Sequence, residues 1–111
     1  KDYIILSLEP AKMVFEYKKL KLTMHPVELA AWLHNYLVQI HPFTDGNGRT
    51  ARLIMNWILL RKKFPPIIID VRNKEQYYYA IEAADKGDER PFAVFLSKQL
   101  LEQYAMFEKP V

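Results

Sequence analysis

Apolar residues return every three to four positions along most of the chain, so its pattern is helical almost throughout. Leu29, Leu33, Tyr36, Leu37 and Ile40 recur at that spacing behind Pro26, which opens a helix with Glu28 in its first turn. Upstream, Pro10 suits the first turn of a helix running to about Leu22, with Met13, Val14, Tyr17 and Leu20 as its stripe. From Arg49 to Lys63 the chain is apolar on nearly every side between Leu53 and Leu60. That predicts a central helix covered all round, stopped by Pro65-Pro66. Lys74 to Lys86 reads as a helix closed by Gly87. A last helix, from about Pro91 to Phe107, carries Phe92, Phe95, Leu96, Leu100, Tyr104 and Phe107. Two stretches read differently. Residues 2–8 are rich in β-formers and predict a short extended segment. Ile67-Ile68-Ile69 predicts a short buried extended run or a loop packed on the core. The fold class is all-α, with a central buried helix and one short N-terminal extended element.

At 111 residues the chain is long enough for one domain with a modest core, and no repeat or interior linker divides it. It begins with Lys1, not Met, which points to a fragment or the ordered part of a longer protein. No apolar run approaches a membrane span, and the N-terminus lacks a signal-peptide pattern. The absence of cysteine excludes disulfides and thiolate metal sites and agrees with a reducing compartment. The net charge of +3 is spread along the chain. Its dense spots, Lys18-Lys19 with Lys21 and Arg61-Lys62-Lys63, are explained by solvated helix faces or ends more simply than by nucleic acid.

Chemistry concentrates in the twelve residues His41-Pro42-Phe43-Thr44-Asp45-Gly46-Asn47-Gly48-Arg49-Thr50-Ala51-Arg52. A histidine can take a proton near neutral pH. A carboxylate can hold a hard cation such as Mg²⁺. Glycines let backbone N–H groups fold around an anion, and a helix N-terminus adds unpaired donors and a positive dipole end. Arg49 and Arg52, three apart, share one helical face and can grip separate phosphates. Placing two cations at an already positive helix start is locally unfavourable unless a polyanion binds there.

This run resembles the Fic-family signature, His-x-Phe-x-Asp/Glu-Gly-Asn-Gly-Arg-x-x-Arg, at every fixed position. The similarity extends from about Thr23 to about Leu101, through His25-Pro26-Val27-Glu28, His34, Pro65-Pro66, Tyr77-Tyr78 and Gly87-Asp88. The resemblance implies a protein adenylyltransferase that moves AMP from ATP to a Ser, Thr or Tyr hydroxyl of a target protein, with another nucleotidyl or phosphoryl transfer or AMP removal on the same scaffold, or a nucleotide- or partner-binding module without turnover, as the alternatives. It implies His41 as the base, Asp45 as the Mg²⁺ ligand, and Gly46, Asn47 and Gly48 as the lining of an anion pocket. Arg49 would contact the phosphates and Arg52 would reach the γ-phosphate. Tyr77 and Tyr78 would belong to the adenine pocket, although three consecutive tyrosines can equally coat a helix. Asp85 stands where relatives often carry an asparagine that contacts base or ribose, which leaves base preference open. Gly48 replaces the lysine of the phosphoryl-transferring branch. Family habit places the protein in the bacterial cytoplasm and leaves a homodimer open.

Phe43 is expected to plug the core, Pro42 to stiffen the loop, and Asn56 to be a polar group of helix packing. His34 and His41, two helical turns apart with no third ligand, make a poor metal site, so His34 is expected to be a packed or supporting residue. His25 is expected to be structural at a helix start. Ser7 and Ser97 sit in contexts unrelated to a hydrolase triad. Two family features are missing. The β-hairpin flap that aligns the target has at most one strand, in residues 2–8, so either the chain is truncated there or residues are missing between about Leu6 and Leu8, which would show as a chain break. The inhibitory pattern Ser/Thr-x-x-x-Glu-Gly/Asn is absent. Restraint is therefore expected from an N-terminal segment or a separate antitoxin-like protein, and the chain alone is expected not to be autoinhibited.

Overall fold

The computed structural model describes the backbone of residues 2–41 and 43–108 and the side chains of residues 9–41 and 43–105. Five α-helices follow in order: α1 (Asp2–Leu20), α2 (Pro26–Ile40), α3 (Asn47–Arg61), α4 (Lys74–Asp85) and α5 (Arg90–Glu108). A single 3₁₀ turn, Val71–Asn73, leads into α4. No strand occurs among the described residues, and no described helix is long and apolar enough to cross a membrane.

The core lies where α2 packs on α3 and on α5. Leu29 and Leu33 of α2 meet Met55, Ile58 and Leu59 of α3, and Phe92 and Leu96 of α5 close the other side. Helix α2 begins at Pro26, whose fixed φ suits the first turn. Its N-cap is His25, whose Nδ1 accepts the Val27 N–H at 3.1 Å, so this histidine is structural as expected. Helix α3 ends at Arg61, before the prolines expected to stop it. Lys63 takes φ 68°, and the Phe64 N–H returns to the Leu59 carbonyl at 2.8 Å before the prolines are reached. Helix α4 closes on Gly87 at φ 99°, with the Asp88 N–H on the Ala83 carbonyl at 2.9 Å.

Five expectations are corrected. Residues 2–8 are helical, not extended. Helix α1 runs unbroken through Leu6–Leu8 with Pro10 inside it, so neither a flap strand nor a chain break is present there. Helix α3 is not covered all round: Leu53, Trp57 and Leu60 are exposed, while α2 covers one face of α3 and Tyr17 of α1 meets the Trp57 ring at 6.3 Å. Phe43 does not plug the core and is 49% exposed. Tyr104, expected in the buried stripe of α5, is also exposed. Pro42 and the Phe107 side chain lie outside the described residues.

Ile67 is the buried member of the isoleucine run, while Ile68 points to solvent. Asn56 holds this segment as a strand partner would. Its Nδ2 donates to the Ile67 carbonyl at 3.0 Å and its Oδ1 accepts the Ile67 N–H at 2.8 Å. A loop with no ladder of its own thus has both polar groups of its buried residue satisfied by one side chain.

Candidate active site

The turn from α2 to α3 is built by three residues with unusual backbones or unusual partners. His41 caps α2 in the left-handed region, φ 50° and ψ 58°, with its N–H on the Leu37 carbonyl. Gly46 is left-handed at φ 80° and serves as N-cap of α3 without a side chain to cap it. Asn47 is buried at 6% exposure. Its Oδ1 accepts the Phe43 N–H at 3.0 Å and its Nδ2 donates to the Phe43 carbonyl at 2.8 Å. The Asn47 amide therefore clamps the loop, because the paired donor and acceptor of the Phe43 backbone match its geometry, while the residue also lines the cleft. This clamp also explains the exposed Phe43 ring: the backbone, not the ring, anchors the loop.

With no side chain on the cap, the first amides of α3 face the loop unpaired by any capping group. The Thr50 N–H is the first to close a helical turn, onto the Gly46 carbonyl at 3.0 Å. His41, Asp45, Gly46, Asn47, Gly48, Arg49, Arg52 and Tyr78 line one cleft of about 490 Å³. Asp45 is exposed there, and its Oδ1 accepts the Gly46 N–H at 2.9 Å. Among the described residues no three His, Cys, Asp or Glu side chains gather as a metal cage. A lone accessible carboxylate fits Mg²⁺, which keeps waters and takes phosphate oxygens as its other ligands.

The two arginines differ. Arg49 is exposed at the mouth. Arg52, half-buried, lays its guanidinium 6.0 Å from the Tyr77 ring centre and donates from Nη1 to the Tyr77 hydroxyl at 3.3 Å. A Cβ on Gly48 would stand 3.2 Å from that Nη1, so this glycine lets the guanidinium lie close to the helix.

The expected site residues are thus divided. Tyr78, half exposed, faces the cleft. Tyr77 is 2% exposed and packs its ring against Phe92 and Phe95, so it presents its hydroxyl to Arg52 and no open face to a base. Asp85 lies apart from the Asp45–Arg49 loop, in a cleft of about 360 Å³ that it shares with His41, Asn35 and Gln39. His34 is fully buried and stacks on Phe92 at 4.5 Å. Its Nε2 is 2.8 Å from the Tyr77 hydroxyl and its Nδ1 is 3.0 Å from Asn35 Oδ1. Burial pushes its pKa down from 6.5 to about 4, the Asn35 hydrogen bond opposes this, and the Arg52 charge adds to it. Burial likewise raises the Tyr77 hydroxyl above its usual value, with Arg52 opposing. Sequence reasoning did not find Asn35. Its one available signal is a polar pair, His34-Asn35, set inside an apolar helical stripe.

Comparison with known proteins places this geometry. A family model described as the Fic/DOC family matches residues 4–59. Over 75 residues the chain is 55% identical to a protein adenylyltransferase Fic of Nematostella vectensis, covering 68% of this chain and 18% of that protein. It is 51% identical over 77 residues to protein adenylyltransferase fic-1 of Caenorhabditis elegans, covering 69% of this chain and 15% of that protein. The solved structure of C. elegans Fic-1 matches with a TM-score of 0.86 at 38% identity, over 93% of this chain and 32% of that one. A Fic domain containing signaling protein of Bacteroides thetaiotaomicron matches with a TM-score of 0.79 at 34% identity, over 87% of this chain and 43% of that one. The chain therefore spans less than a fifth of the length of the two relatives. The signature loop, the helix it opens and the helices that frame it are shared with these proteins, and the chain belongs to the Fic/DOC family.

Proposed function

We propose that this domain transfers AMP from ATP to a Ser, Thr or Tyr hydroxyl of another protein and releases pyrophosphate. One observation carries the reading: a histidine, a single carboxylate, an uncapped helix N-terminus and two arginines line the same cleft. The names of the matched relatives, protein adenylyltransferases, support it.

The phosphates lie along the first turn of α3, where amides and dipole favour anions. Arg49 and Arg52 neutralise their outer charge. Asp45 would hold Mg²⁺, which when bound would supply charge neutralisation to the phosphates and the departing pyrophosphate. His41 takes the proton of the target hydroxyl. That oxygen bonds to the α-phosphorus while the bond from the α-phosphorus to the pyrophosphate oxygen breaks. Positioning and charge stabilisation supply most of the rate. Tyr78 takes the base. His41 also lines the cleft holding Asp85, which suits the ribose or the approaching target.

The test uses α-phosphate-labelled ATP and Mg²⁺ with a cell lysate. Label should appear on protein with the wild type and vanish with His41→Ala. Equal labelling by both proteins would remove His41 from the reaction. ATP binding without label in either would favour a nucleotide-binding module that does not turn over.

A further inference from the structure

The polar groups behind Arg52 form a line that ends at a second charge. Asn35 Nδ2 donates to Glu89 Oε1 at 3.0 Å. The line therefore runs Arg52, Tyr77, His34, Asn35, Glu89, from α3 through α4 and α2 to the start of α5. Its two ends fix every proton in it. A carboxylate only accepts, so the Asn35 amide nitrogen must face Glu89 and its oxygen must face His34. Asn35 Oδ1 only accepts, so His34 carries its proton on Nδ1. His34 Nε2 is then an acceptor and takes the Tyr77 O–H. The Tyr77 oxygen is left with lone pairs alone, and a guanidinium only donates. All four hydrogen bonds point the same way, from cation to carboxylate. A chain polarised in one direction strengthens each of its members.

We propose that Tyr77, His34 and Asn35 are positioning residues that hold the Arg52 guanidinium on the phosphate side of the cleft, with Tyr77 an oriented acceptor for Arg52 and not a wall for adenine. This rests on the reading of the cleft as an ATP site. The line works only with His34 neutral and protonated on Nδ1, and its full burial against Phe92 keeps it so. Gly48 completes the arrangement by leaving room for Nη1.

The experiment measures Mg·ATP and AMP affinity by titration calorimetry on the full chain. Wild type, Tyr77→Phe, Arg52→Ala and the double variant are compared. Tyr77→Phe keeps the buried ring and removes only the acceptor. It should weaken ATP about tenfold, the scale of one hydrogen bond to a charged group, and leave AMP unchanged. In the Arg52→Ala background the same change should have no effect on ATP, since its effect passes through the arginine. His34→Leu, which removes the acceptor for the Tyr77 O–H, should lose ATP affinity in the same arginine-dependent way and serves if Tyr77→Phe does not fold. Unchanged ATP affinity in a folded variant, or an equal loss with and without Arg52, would overturn the proposal. Failure of wild type to bind ATP would instead overturn the ATP site itself.

Discussion

His41 occupies a backbone conformation that suits glycine better than histidine. At φ 50° its Cβ crowds the neighbouring carbonyl, a strain worth about 1 kcal/mol at this kind of helix cap. Chemistry and stability therefore oppose each other at one position. His41→Gly should raise stability to urea by about 1 kcal/mol and abolish label transfer; a less stable His41→Gly protein would show that the backbone strain at His41 is absent. His34 gives a second prediction. Its pKa falls from 6.5 in the unfolded chain to about 4 in the fold, so the unfolded state binds more protons between those values. Its contribution is present in full above pH 6.5 and is lost as pH falls towards 4. Wild type should lose about 3 kcal/mol more than His34→Gln between pH 7 and pH 4 in urea titrations. Equal losses would mean that His34 is not held neutral.

The elements divide by whether their partners are near in sequence. The loop from His41 to Arg52 is contiguous, so its residue types announced both the turn and the cleft. Helices α2, α4 and α5 were legible because their buried residues repeat along one face. Residues 2–8 were not, since their β-forming composition is outweighed once a helix already runs to Leu20. Preferences of a few tenths of a kcal/mol per residue yield to adding one hydrogen bond per residue fixed. The Asn56 clamp on Ile67 and the Arg52 contact with Tyr77 join residues 11 and 25 positions apart, and no periodicity marks such pairs. Asn56→Ala should cost about 2 kcal/mol, because the buried Ile67 loses both backbone partners. A change under 0.5 kcal/mol by urea melt would show that water satisfies them.

Over the whole molecule, α2 holds the positions together. It caps at His25, carries His34 and Asn35 into the core, and releases His41 into the cleft. Its packing on α3 sets His41 beside the N-terminus of α3, and its packing on α5 brings Phe92 over His34. Truncating Phe92 to Ala should therefore cost about 4 kcal/mol, measured by urea unfolding, and weaken ATP binding as well. The opposite face of α3, with Leu53, Trp57 and Leu60, takes no part in the cleft. That face was misread because an apolar run does not say how many neighbours will cover it. The central claim is that the α-phosphorus is the atom attacked. The most direct measurement offers the full chain ATP labelled at the α- or the γ-phosphate, in parallel, with Mg²⁺ and a lysate. AMP transfer predicts protein label from the α-position and none from the γ-position. Label from the γ-position would mean phosphoryl transfer and would contradict it.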